Sequence, residues 1–175
     1  LMPILSSKSA IFHLLAGSAL LFSLHSCQPP TSPRKKVAKG AQQEQLPAFQ
    51  MQQADGRMVD LQSFKGKKIM VNLWATWCAP CRTEMPSIAA LYTSIDTNKT
   101  ALILLSLDEK KEKSIEFLAA QSLGNQLYFP GEDLPDLFNV MGIPATFIFD
   151  ENGKLIEQVM GSTDYDNERF RNMLK

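Results

Sequence analysis

The chain has 175 residues, close to one domain at the usual ~150 residues per domain, which excludes a second full catalytic domain. Hydrophobic residues make up 45%, charged 21% and aromatic 9%, a globular composition rather than that of a disordered, collagen-like or multi-span membrane chain. Eighteen Lys and Arg balance eighteen Asp and Glu, so no overall field steers a polyanion, and nucleic acid is excluded as an expected partner.

Residues 1–26 read as a signal peptide. Lys8 is their only charge, and residues 10–24 (AIFHLLAGSALLFSL) form an apolar run shorter than the ~20 residues of a membrane-spanning helix. The run ends in Leu24-His25-Ser26-Cys27, which resembles the lipobox of bacterial lipoproteins, although His25 departs from the small or apolar residue usual at its position. The resemblance implies cleavage just before Cys27 and acylation of its sulfur. An ordinary signal peptide cut nearby, with Cys27 incidental, is the alternative.

Residues 28–45 (QPPTSPRKKVAKGAQQEQ) hold no aromatic residue and cannot bury enough surface to order themselves, so residues 27–45 are expected to be a lipid-anchored flexible linker. Its basic cluster reads as a solubilising spacer. The expected folded domain, residues 46–175, carries 13 basic and 17 acidic residues and is mildly acidic. Removing the leader also removes His13 and His25, the only two histidines. Ser-His-Asp or Cys-His catalysis and any His-containing metal site are thereby excluded from the mature chain.

Within the domain, Asp55-Gly56 between two short apolar-polar stretches predicts an N-terminal β-hairpin over residues 48–60. Residues 69–74 (IMVNLW) and 101–107 (ALILLSL) predict strands buried on both faces. Between them Met85, Ile88, Ala89 and Tyr92 recur at helical spacing, with Pro86 inside the run. Ile115, Leu118, Ala119 and Ser122 predict a second amphipathic helix ended by Gly124-Asn125. Then come a short strand at 127–129, a short helix at 134–140, and strands at 145–150 and 155–160 joined by an Asn152-Gly153 turn. A last helix is expected from near Thr163, with Asp166 approximating a capping box. βαβ crossovers make the first part of the sheet parallel and the Asn-Gly hairpin makes the second antiparallel, so the fold class is α/β with a mixed central sheet.

Chemistry concentrates where the first buried strand gives way to a helix, at Trp77-Cys78-Ala79-Pro80-Cys81. Backbone N–H groups and the macrodipole at a helix N-terminus stabilise a thiolate, the nucleophilic form of cysteine. Cys81, one turn on, is near enough to close a disulfide with Cys78, which defines an exchange cycle through a mixed disulfide.

The stretch 72–86 (NLWATWCAPCRTEMP) resembles the thioredoxin superfamily, in particular its TlpA/ResA-like branch of membrane-tethered, exported thiol-disulfide oxidoreductases. That resemblance implies a thioredoxin-like fold, with helices flanking the sheet and an added N-terminal hairpin, and Cys78 and Cys81 as a catalytic redox disulfide. It places Trp77, Ala79, Pro80, Ile143 and Pro144 at the substrate-binding surface, with Pro144 in the place of the superfamily's cis-proline. Thioredoxin carries a buried Asp where this chain has Asn72, so that proton-transfer group is missing here. The branch often has an acidic residue three after the second cysteine, which Glu84 matches, and a half-buried carboxylate there could carry protons. A solvated Glu in a first helical turn is the plainer reading.

The resemblance also implies disulfide-bearing protein substrates, a membrane electron-relay protein as reductant, the cell envelope as location and no cofactor. Cytochrome c maturation and general envelope redox homeostasis are the tasks it suggests. Two other readings remain open. Cys78 and Cys81 could hold a soft metal such as copper for delivery. A thiol peroxidase is the third reading, although the chain lacks a matching Pro-x-x-x-Ser/Thr-x-x-Cys signature. The eight methionines are read mainly as core filling.

Overall fold

A computed structural model describes residues 44–175 of the chain. The expected leader, the lipobox with Cys27 and nearly all of the expected linker lie outside the described residues.

Asp55-Gly56 forms the turn of a hairpin between β1 (Gln50–Gln53) and β2 (Met58–Asp60). Gly56 takes φ +89°, a left-handed conformation cheap only without a Cβ, and Asp55 accepts from the Arg57 backbone N–H at 3.0 Å. The continuous apolar runs become β3 (Lys68–Trp74) and β4 (Thr100–Ser106), parallel and in register from Lys68 opposite Thr100 to Trp74 opposite Ser106. Between them lies α1 (Ala79–Ser94), and after β4 come α2 (Lys111–Ala119) and β5 (Leu127–Pro130). The antiparallel pair β6 (Ala145–Phe149) and β7 (Leu155–Met160) and a short α3 (Glu168–Met173) complete the order.

The seven strands form one mixed sheet in the order β2-β1-β5-β4-β3-β6-β7. Strands β3, β4 and β5 run parallel in its centre, while the N-terminal hairpin extends one side and β6-β7 the other, all antiparallel. Period-two alternation splits β3 into two sets: Met70 and Trp74 face the three helices, whereas Ile69, Val71 and Leu73 face away from them. On the helix face Met85, Ile88 and Leu91 of α1, Leu118 of α2 and Phe170 of α3 complete one core. The opposite face is closed by Leu46, Phe49, Leu61 and Phe138, carried by the N-terminal segment and two 3-10 turns, Leu61–Phe64 and Asp136–Phe138.

Three expectations shift in detail. The helix expected at 134–140 is only the 3-10 turn, because Pro135 starts it and Asn139 leaves helical geometry at ψ 74°. In α2 the inward positions are Ser114 and Leu118, while Ile115 is exposed, so a polar residue occupies part of the buried stripe. The last helix begins at Glu168, capped by the Asn167 side chain at the Phe170 N–H. Residues 163–165 are held instead by α1: the N–H of Thr163 donates to Glu84 and that of Tyr165 to Ser87 Oγ.

Candidate functional site

Strand β3 delivers the chain to the C-terminal edge of the sheet, and Cys78 is the residue on which α1 begins. Its N–H donates to Ala75 O at 3.2 Å, closing the turn that contains Thr76 and Trp77. Its Sγ fills the helix-cap position and accepts from the Cys81 N–H at 3.2 Å. Pro80 in the first turn sacrifices nothing, since N–H groups there have no helical partner. Sulfur thus sits where the free donors and the positive end of the macrodipole favour negative charge.

Cys78 and Cys81 are joined in a disulfide, S–S 2.03 Å, with Cα atoms 5.3 Å apart. Cys78 is 5% exposed and Cys81 fully buried, so an incoming sulfur meets Cys78 first and Cys81 can act only from behind it. The opposing wall comes from the entry to β6. The Ile143–Pro144 peptide bond is cis, and Ile143 O lies 3.6 Å from Cys78 Sγ. Trp77 is 68% exposed beside the disulfide, and Ala79 and Pro80 are exposed as well. Trp74 is fully buried and packs its ring 5.5 Å from that of Phe117.

Glu84, one turn after Cys81 on α1, is only 2% exposed. Burial pushes its carboxyl up to about 7, against the opposing hydrogen bonds from Asn72 Nδ2 to Oε1 (2.8 Å) and from the Thr163 N–H to Oε2 (3.3 Å). Asn72 also donates to Thr146 Oγ1 at 2.8 Å, and Tyr165 donates its hydroxyl to the same oxygen at 2.6 Å. Burial, with Glu84 nearby, drives the Tyr165 hydroxyl well above the ordinary phenol range. Asn72 Oδ1 is buried without a partner among the described residues, so the amide spends both hydrogens holding Glu84 and Thr146.

A second carboxylate lies on the other flank of the disulfide loop. Asp108, just past the end of β4, accepts from the Thr76 N–H (2.8 Å), Thr76 Oγ1 (2.7 Å), Ser106 Oγ (3.1 Å) and Ser114 Oγ (2.6 Å). Burial raises its pKa, but these donors outweigh burial and leave it below its ordinary value. Arg82 of α1 donates to Thr76 O at 2.5 Å, so Thr76 is held at its N–H, its hydroxyl and its carbonyl.

The sequence-predicted residues Trp77, Cys78, Ala79, Pro80, Cys81, Ile143 and Pro144 therefore converge from the β3–α1 junction and the start of β6, with Glu84 buried beneath. Sequence reasoning missed Asp108, Thr146, Thr163 and Tyr165. Asp108 gave a usable signal, an acidic residue directly after a buried strand; the other three gave none before the pairing of β6 with β3 was known. Among the described residues no group of three or more His, Cys, Asp or Glu side chains is placed to hold a metal ion.

Residues 43–158 match the model of the AhpC/TSA family. The thiol-disulfide oxidoreductase ResA of Bacillus thuringiensis (strain Al Hakam) is 29% identical over 172 residues, covering 94% of this chain and 92% of that protein. The thioredoxin-like protein YneN of Bacillus subtilis (strain 168) is 34% identical over 122 residues, 68% of this chain and 71% of that one. Among solved structures, a putative thiol:disulfide interchange protein DsbE from Chlorobium tepidum superposes with TM-score 0.64 at 27% identity, covering 74% of this chain and 92% of that one. Fold, matched family and relatives agree: the chain belongs to the AhpC/TSA family and is a thioredoxin-like thiol-disulfide oxidoreductase.

Proposed function

We propose that this oxidoreductase works as an exported, lipid-anchored reductase of protein disulfides, with residues 1–26 as signal peptide, residues 27–45 as tether from an acylated Cys27, and residues 46–175 as the working domain. The observation that carries the chemistry is Cys78 Sγ at the N-terminus of α1 with Cys81 buried behind it. In the reduced protein the Cys78 thiolate attacks one sulfur of a substrate disulfide, and the other substrate sulfur leaves as a thiolate and takes a proton. Cys81 loses its proton to Glu84 and attacks Cys78 Sγ, which releases the second substrate sulfur as a thiolate that takes a proton from water, and Glu84 gives up the Cys81 proton to water. Two electrons pass from the Cys78/Cys81 dithiol to the substrate, and the Cys78–Cys81 disulfide remains.

Glu84 suits the proton step because its pKa of about 7 lets it bind and release a proton near neutral pH. Trp77, Ala79, Pro80, Ile143 and Pro144 form the surface against which the substrate lies. A membrane electron-relay protein returns the pair to the dithiol state, since exported compartments favour disulfides. Cytochrome c maturation and general envelope redox homeostasis are the tasks in which such a reductant serves.

The test is a Cys81→Ser variant of the full chain expressed in a bacterial envelope. It should accumulate partners on Cys78 as mixed disulfides that dithiothreitol releases, whereas Cys78→Ser should trap none. Capture of no thiol partner, or stoichiometric soft metal with no exchange activity after anaerobic purification, would overturn the reading.

A further inference from the structure

The two edges of the sheet are protected unequally. On one side β2 ends it with three residues, preceded by Arg57 and closed by Asp60, so a neighbouring strand meets little backbone and a charge at either end. On the other side β7 ends it with six residues (LIEQVM) and no proline. Its only charge is Glu157, which Arg169 of α3 holds at 2.6 Å.

The chain covers only the start of the β7 edge, where the Leu155 N–H donates to Glu44 O at 2.8 Å. Beyond that bond, among the described residues, no strand pairs with the outer edge of Ile156 to Met160. The Gly161 N–H donates to Pro144 O at 2.9 Å, so antiparallel alternation turns the peptide groups of Glu157 and Val159 toward β6 and those of Gln158 and Met160 outward. Side chains alternate as well. Val159 packs against the helix-face core, whereas Ile156 (41%), Gln158 and Met160 (52%) are exposed.

We propose that the free edge of β7 pairs with β7 of a second copy of this chain, antiparallel and centred on Gln158. The strand is complementary to itself in that register. Gln158 faces Gln158 of the second copy, and an amide, donor and acceptor at once, satisfies its twin where two Lys or two Glu would repel each other. Ile156 faces Met160 on both sides of the centre, so each exposed apolar side chain gains an apolar neighbour. On the opposite face Glu157 meets Val159 and brings Arg169 as its own counter-ion. The other nearby charges of the chain, Glu44, Lys154 and Asp164, stand at or beyond the ends of the paired stretch. Met160 lies opposite Ala145, directly after Pro144, so the two active sites come to opposite ends of the joined strands.

The contact is short, so the test reads it by cross-linking in envelope membranes that hold the full chain. Cys78→Ser and Cys81→Ser leave added thiols as the reactive groups, and the chain with these two changes alone is the control. A short bis-maleimide bridges the about 5.5 Å between facing Cα atoms of a hydrogen-bonded pair but not the about 14 Å between positions four residues apart along a strand. Gln158→Cys should therefore give a product with the mass of two copies. Ile156→Cys alone should give at least about fivefold less, and co-expression with a Met160→Cys chain should restore the yield. Adding Gln158→Lys to both chains of that mixed pair should cut the yield about fivefold, and Gln158→Lys on one with Gln158→Glu on the other should recover it.

No product from Gln158→Cys, an equal yield from Ile156→Cys alone, or a yield blind to the like charges would overturn the pairing. A product joined to a different protein would assign the edge to that protein. A Gln158→Cys thiol shielded from the reagent in a chain that forms no dimer would assign it to the chain's own residues, and either result also overturns the proposal. The chains tested lack both active-site cysteines, so the result is independent of the reductase reading.

Discussion

Two carboxylates flank the start of α1, and the protein treats them in opposite ways. Glu84 is nearly closed off from solvent with two donors, Asn72 and the Thr163 N–H, and burial wins: its pKa rises to about 7. Asp108 keeps partial contact with solvent and collects four hydrogen bonds, two from Thr76 and one each from Ser106 and Ser114, and the donors win. Counting donors against lost water therefore assigns different work to two chemically similar groups. Glu84 is able to exchange a proton near neutral pH. Asp108 stays ionised and serves as a fixed post to which the loop before Cys78 is tied, a positioning residue rather than a catalytic one.

The largest effect should come from breaking the post. Asp108→Ala leaves both donors of Thr76 without their acceptor and leaves the hydroxyls of Ser106 and Ser114 only each other, and a loss of about 3 kcal/mol is expected from urea unfolding at pH 7. Because the folded-state pKa of Asp108 is depressed, its contribution is present above its ordinary value of 3.8 and is lost as pH falls through the lower folded value. The gap between wild type and variant should accordingly shrink below about pH 4. A gap that stayed constant down to pH 2 would show that the carboxylate charge plays no part.

Glu84→Gln should act in the opposite direction. With a folded pKa of about 7 against an ordinary 4.5, the folded state holds one more proton than the unfolded state between those values, so wild-type stability falls as pH rises across that window. Full neutralisation of that penalty corresponds to about 3 kcal/mol; Gln also turns an N–H toward one of the donors, so a gain of about 2 kcal/mol at pH 8 is expected, vanishing near pH 4. Equilibrium unfolding at the two pH values checks it. In the reduced variant, the step near pH 7 in the alkylation rate of Cys78 and Cys81 should also disappear. An unchanged alkylation profile would leave Glu84 a buried structural acid with no part in thiol chemistry.

A smaller loss belongs to Tyr165→Phe. It removes the hydroxyl that donates to Thr146 Oγ1 and keeps the ring packed 4.7 Å from that of Phe170. About 1 kcal/mol is expected, since Thr146 retains the Asn72 donor. Thermal unfolding would show it, and a loss as large as that of Asp108→Ala would mean that the Asn72, Thr146 and Tyr165 network carries Glu84 as a unit.

The contrast between these pockets was only half legible in the sequence. The apolar runs of β3 and β4 announced a parallel pair buried on both faces, and Asp55-Gly56 and Asn152-Gly153 announced hairpins because few residues accept the backbone that such turns need. Cys78 and Cys81 carried their own signal, as did Pro144 through its resemblance. Glu84 was visible as a candidate, but its burial was not: nothing local to α1 says that Thr163, 79 residues later, will close over it. The helix expected from near Thr163 begins only at Glu168 for the same reason, since long-range bonds to Glu84 and Ser87 outweighed a local capping pattern. In α2 the buried Ser114 broke an apolar periodicity because its partner is Asp108, and such a pair shows only when strand and helix are placed together.

Thr76→Val is the finest cut and tests whether the two pockets are independent. Valine matches threonine in shape, so the substitution deletes the 2.7 Å bond from Oγ1 to Asp108 and leaves the N–H bond at 2.8 Å and the Arg82 contact in place. Asp108 keeps three of its four donors, and a loss of about 1 kcal/mol at pH 7 is expected. The lost bond lowered the Asp108 pKa, so its removal moves that pKa back toward 3.8, and the deficit should be smaller at pH 3 than at pH 7. Glu84 shares none of these partners. Its control of thiol alkylation should keep its midpoint in Thr76→Val, and the stability changes of Thr76→Val and Glu84→Gln should add within about 0.5 kcal/mol in the double variant. Coupling beyond that would mean that the loop carrying Trp77 and Cys78 transmits strain between its flanks, and that fixing the loop and moving the proton are one device instead of two.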